Sequence, residues 1–194
     1  MVSTIYLNMA AISSKEGNIN EAIQLYELLI KLKSESQGST SVELMRCYEL
    51  VGLECMKGCL YIPAQSWFYK QAQICRKLYG SRSKKFTQCL INQAQSHNEQ
   101  GQAFLAIKKF EDAFQILRKL EGSAQGKLSQ KISKIMVSLV DCYLATGSME
   151  DQAQLMIGMV EQRLEKNSET SYASQIMSDL GCVLRKHDWI DLAI

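Results

Sequence analysis

Three columns of residue type recur every 42 positions along this chain. Ala22, Ala64 and Ala106 form one; Tyr26, Phe68 and Phe110, four residues further on, form a second; Ala10, Gly52 and Ala94, twelve residues before the alanines, form a third. Small, small and bulky side chains held in one register over three units define a repeated building block. Polar, turn-rich segments fall at nearly the same interval: SESQGSTS (34–41), GSRSK (80–84), EGSAQGK (121–127) and KNSETS (166–171). Between them each unit reads as two helices joined by a short turn that holds Gly17, Gly58, Gly101 or Gly147, because glycine tolerates the backbone angles of a helix end.

The 194 residues contain a single proline and are rich in Gln, Leu, Ala, Lys, Glu and Met, side chains that lose little rotamer freedom in a helix. The expected fold is therefore all-α. Small residues facing each other across a hairpin let the backbones approach, and a bulky residue one turn later fills the groove to the next hairpin. On that reading Ala94 and Ala106 are close-contact points, Gly101 is the turn, and Phe110 plugs the neighbouring groove.

The stretches NEQGQAFLAIKKFEDAF (98–114) and EGNINEAIQLYELL (16–29) resemble the helix-turn-helix signature of the tetratricopeptide repeat (TPR) family: a small residue, a turn glycine, then alanine and an aromatic. The usual unit is about 34 residues, and the 42-residue register is similar to the longer repeats of the kinesin-light-chain type. The resemblance implies a right-handed α-solenoid of about nine to ten antiparallel helices. It would form one domain over 1–194, with repeats at about 1–38, 39–80, 81–124 and 125–168 and a partial one at 169–194. In the fourth unit Ala153 falls six residues after Gly147, which predicts a turn longer by one residue; in the fifth, Gly181 and Ala193 are again twelve apart. The chain opens inside a first helix and closes inside a second, so it is expected to be a piece of a longer solenoid.

A net charge of +2 sets up no field that would select nucleic acid or an anionic membrane. Seven cysteines, an odd number lying mostly within helical patterns, fit a reducing compartment better than a disulfide framework. The segment MVSTIYLNMAAIS has no signal-peptide pattern, and no stretch has the length and apolarity of a membrane span. A cytosolic or nuclear location is expected.

Catalytic chemistry finds little material here, and no enzyme activity, cofactor or metal is expected. His97 lies on the face of a first helix predicted to pack into its own hairpin, and His187 sits beside the last turn. Cys55 and Cys59 are four apart on one helix face, without the second pair a zinc site needs. No glycine pattern matches a phosphate-binding loop. The basic run RKLYGSRSKK (76–85) could touch phosphates, but no aromatic residues interleave with it as single-strand binding would require. Met136, Met149, Met156 and Met159 read as adaptable core filler.

Geometry offers a better functional signal. In stacked hairpins the first helices line a groove suited to a peptide segment or a partner helix. Two residues before the small-residue column lie Asn8, Leu50, Asn92, Ser138 and Asp179; Lys15, Glu49, Leu53, Lys57, Gln88, Gln95 and Glu99 are expected beside them. An asparagine amide both donates and accepts, so it can pair with the backbone of an extended ligand or with its own scaffold. The resemblance implies peptide contacts for Asn8 and Asn92. It does not extend to the clamp that grips carboxylate tails, since Leu7 and Ala11 stand where that set of polar residues would begin. The expected function is a non-catalytic protein-interaction scaffold. Self-assembly through exposed terminal repeats and, on residues 76–85 alone, nucleic-acid binding are the rival readings.

Overall fold

A computed structural model describes residues 2–37, 40–121, 127–165 and 171–189, and all the regular structure among them is helical. In chain order the helices are α1 (Val2–Lys15), α2 (Ile19–Gln37), α3 (Val42–Lys57), α4 (Tyr61–Tyr79), α5 (Lys84–Glu99), α6 (Ala103–Glu121), α7 (Lys127–Thr146), α8 (Glu150–Glu165) and α9 (Ser171–Lys186). The chain divides into two compact units, Met1–Gln100 and Gly101–Ile194, with the division in the turn between α5 and α6.

In the N-terminal unit the repeat is visible in the helix ends. Ser41 and Ser83, one period apart, cap α3 and α5: their hydroxyl oxygens accept the N–H of Leu44 and Phe86, both at 3.1 Å. Pro63 stands in the first turn of α4, where a missing N–H leaves no helical bond unmade. At the other ends, Asn18 N–H donates to the carbonyl of Ser13 and Leu60 N–H to that of Cys55, both at 2.8 Å. This is the Schellman closure, which needs a left-handed residue just before the donor. Gly17 supplies it at φ +82°, and in the next unit Cys59 does so at φ +55°.

Gly58, the expected turn glycine, therefore has a different job. Its φ is −82°, and a Cβ there would lie 3.0 Å from Ile19 Cγ2, so its smallness makes room for α2. The left-handed position follows the 42-residue register through 17, 59 and 101, and Gly101 has φ +72°.

The register columns form the core. Ala10, Ala22, Ala64, Ala94 and Ala106 are completely buried, as is Phe68. Tyr26 shares one apolar cluster with Ala10 of its own hairpin and with Cys47 and Val51 of α3, so the ring reaches the next hairpin as expected. Phe68 adds a contact the spacing does not reveal. Its ring lies so close over Gly52 of the same hairpin that a Cβ there would sit 2.5 Å from Phe68 Cε1. The aromatic column thus packs on the small-residue column within the hairpin as well as between hairpins.

In the C-terminal unit α7 is the central element, packed on α6, α8 and α9. Ile132, Met136, Leu139 and Val140 of α7 are fully buried with Ala153 and Val160 of α8 and Ile176 of α9. Of the four methionines read as filler, Met136 is buried, and Met149, Met156 and Met159 are half-buried. Gly147 takes φ +62°, and α8 begins three residues after it, whereas α2 begins two residues after Gly17; the extra residue is in the turn. Asp188, at φ +59°, precedes a third Schellman closure, Trp189 N–H to the Leu184 carbonyl at 2.9 Å. Ala193 lies outside the described residues.

Candidate functional site

Consecutive first helices of the N-terminal unit are joined side by side through residues 43 apart. From α3, Lys57 Nζ donates to Ser14 Oγ of α1 at 2.8 Å while pairing with Glu54 Oε1, also at 2.8 Å. From α5, Asn92 Nδ2 donates to Glu49 Oε1 of α3 at 3.5 Å. One repeat plus one residue is the offset that brings neighbours together, and it applies to apolar pairs too: Leu7 of α1 and Leu50 of α3 line one cavity.

This frame sorts the expected contact residues. Asn8, Lys15, Leu53, Lys57, Gln95 and Glu99 are exposed on α1, α3 and α5, while Glu49, Leu50 and Gln88 are half-buried. Asn92 is only 3% exposed, and its Oδ1 accepts from Gln88 Nε2 at 3.0 Å. Its amide thus belongs to a Gln88–Asn92–Glu49 chain that fastens α5 to α3, which is the scaffold role an asparagine can fill as readily as a ligand contact. In the C-terminal unit Ser138 Oγ donates to the Lys134 carbonyl at 3.1 Å, and Asp179 Oδ1 accepts from Gln175 Nε2 at 2.8 Å.

A cavity of about 160 Å³ opens between α1, the end of α2 and the start of α3. Leu7, Leu29, Cys47 and Leu50 provide its apolar wall, and Lys33, Arg46 and Glu43 also line it. Burial pushes the Cys47 thiol pKa up; Lys33 and Arg46 draw it back and Glu43 adds to the rise, as charges beside that wall would do. A space of this size takes one phenyl-sized group. Of its lining, only Leu7 and Leu50 carry a signal legible in the sequence, their spacing of one repeat plus one.

Groups that could have carried chemistry have structural partners. His97 is hydrogen-bonded to Gln65 of α4, in the preceding hairpin, at 2.9 Å. His187 Nε2 and Lys186 Nζ meet Asp141 Oδ1 at 2.9 and 2.8 Å, tying α9 to α7. Cys55 is buried, and its pKa is raised to about 11 chiefly by that burial; Cys59 is exposed in the turn. Among the described residues no group of His, Cys, Asp and Glu is arranged to hold a metal, and no helix is long and apolar enough to cross a membrane. Arg76, Lys77, Arg82, Lys84 and Lys85 are exposed around the α4–α5 linker, with Lys85 Nζ 3.9 Å from the centre of the Tyr79 ring.

No known family model matches the sequence, and no curated protein matches it. Solved structures match its backbone. A putative kinesin light chain of Podosopora anserina with nearly identical TPR-like repeats is similar at TM-score 0.78 and 15% identity, over 98% of this chain and 89% of its own. BtubC (BKLC) from P. vanneervenii is similar at TM-score 0.76 and 16% identity, over 87% of this chain and 65% of its own. The apo form of RapI is similar at TM-score 0.77 and 14% identity, over all of this chain and 66% of its own. The likeness at these identities concerns the fold, and the chain spans about two thirds of BtubC and RapI. The chain has a TPR-like α-solenoid fold.

Proposed function

We propose that this chain is a non-catalytic protein-interaction scaffold whose N-terminal unit binds a peptide segment or helix along α1, α3 and α5. The observation that carries this reading is the cavity between α1 and α3, with Asn8 exposed next to it and Leu53, Lys15 and Lys57 exposed further along the same two helices. An apolar wall with a few polar groups around it is the usual build of a site that anchors one side chain and orients the rest. Lys33 and Arg46 outnumber Glu43 around it, which favours an acidic residue beside the anchor. Asn92 serves as a positioning residue, holding α5 against α3. TPR-like neighbours are consistent with binding as the activity.

The test is selection of peptides from a random display library on the 194-residue chain. Leu50→Trp, which fills the cavity, and Leu53→Asp, which charges the surface, should each abolish binding of the selected peptides, while Tyr69→Ala on the exposed side of α4 should not. Retention of binding by both Leu50→Trp and Leu53→Asp removes this face from the site.

A further inference from the structure

We infer that the α4–α5 linker of the N-terminal unit, with Arg76, Lys77, Arg82, Lys84 and Lys85 around it, binds the phosphate backbone of a duplex nucleic acid without reading its sequence. The chain's net charge of +2 averages over an uneven distribution. Residues 55–98 hold seven of its 22 lysines and arginines and none of its 20 acidic residues. Five of the seven stand within about one helical turn of the linker, all of them exposed. Among the described residues none of these five forms an ion pair. Lys85 is held in place across the linker, its Nζ 3.9 Å from the centre of the Tyr79 ring.

The fold does not ask for these charges. Arg76 and Lys77 suit the last turn of α4, where the macrodipole favours cations, but Lys84 and Lys85 open α5, where it favours acids. The preceding repeat is an internal control: α2 and α4 end, and α3 and α5 begin, one period apart. One period before Lys77 and Lys85 stand Glu35 and Glu43, equally exposed. The same helix ends therefore form with the opposite charge, and the cations answer to something outside the chain. A duplex backbone fits them best. Protein–protein interfaces are depleted in lysine, whereas nucleic-acid interfaces are the strongly positive ones. Exposed beside the five cations are Tyr69, Gln73 and Ser81, neutral hydrogen-bond donors of the kind that accompany lysine and arginine on phosphates. A membrane surface would take up apolar side chains, and between Lys70 and Lys85 the exposed large hydrophobic is Leu78, at 37%. Single strands stack their bases on aromatic rings, but Tyr79 is half-buried and already faced by Lys85.

The test is fluorescence anisotropy of a labelled DNA duplex of mixed sequence, titrated with the 194-residue chain over a range of salt concentrations. Five phosphate contacts predict a slope of about −4.5 in log K against log salt. Lys77→Glu with Lys85→Glu restores the residues of the preceding repeat, so circular dichroism should be unchanged while binding weakens by about tenfold or more and the slope loses about two. Arg82→Gln with Lys84→Gln, a milder change in the same patch, should also flatten the slope by about two. Lys108→Glu with Lys134→Glu, exposed on α6 and α7, alters the net charge as much as the first pair and should leave binding within about twofold. Leu50→Trp, which blocks the proposed peptide cavity, should leave duplex binding unaltered, so this inference and the peptide reading fail separately. No binding at low salt, a slope flatter than about −2, or retention of binding by both patch variants would overturn the inference. Equal loss with Lys108→Glu and Lys134→Glu, or loss with Leu50→Trp, would do the same. So would tighter binding of a poly-glutamate peptide, an anionic vesicle or a single strand than of the duplex.

Discussion

Gly52→Ala tests the hairpin packing at its tightest point. A methyl group there would meet Phe68 Cε1 at 2.5 Å, Cδ1 at 2.8 Å and Cζ at 3.0 Å, where carbon atoms attract best at about 3.5–4.0 Å. Phe68 is fully buried and cannot swing aside, so the added methyl should cost about 1–3 kcal/mol through overpacking. Against this, removing glycine from a helix interior recovers about 1 kcal/mol. The net expectation is a loss of up to about 2 kcal/mol, read as a shift in the urea midpoint at unchanged slope. Gly158→Ala is the control. That glycine is also inside a helix, but its Cβ would meet nothing within 4 Å, so the same change should stabilise by about 1 kcal/mol. Adding Phe68→Leu should make Gly52→Ala nearly neutral, because the two act on one contact. If Gly52→Ala stabilised the protein as much as Gly158→Ala, the ring would not lie on the glycine and the hairpin geometry would be wrong.

Cys59→Gly should stabilise by up to about 1 kcal/mol in chemical denaturation, since a left-handed non-glycine residue costs about 1–2 kcal/mol and glycine's extra unfolded-state entropy offsets part of that. Phe110→Ala should cost about 3–5 kcal/mol in the same assay, as the ring is 1% exposed and its removal leaves a cavity. Stability should fall as pH rises from 9 towards 11, because burial raises the thiols of Cys47, Cys55, Cys75, Cys89 and Cys142 above their ordinary 9.0, that of Cys55 to about 11; Cys55→Ala should make the fall shallower. With a thiol reagent at mildly alkaline pH, Cys59 and Cys182 should react at once and the five buried cysteines only after denaturation; rapid reaction of more than two would contradict the packing.

What was legible in the sequence followed the period, and what was hidden needed a neighbour from another helix. The columns at 10, 22 and 26 and their partners one and two repeats on mark buried positions, because burial imposes a size limit that each unit must meet alone. The left-handed turn position was equally available, as 17 plus 42 is 59, but a glycine one residue earlier is the stronger visual sign, and only the clash with Ile19 explains it. Asn8 and Asn92 stand in one column and differ completely in exposure. The difference comes from outside the column: Asn92 has Glu49 one repeat plus one residue behind it. A site built across helices therefore obeys a second offset, 43 in place of 42. The first offset states which residues must be small or large, and the second states which polar and apolar side chains meet, so a column of like residues identifies a fold more readily than it identifies a ligand.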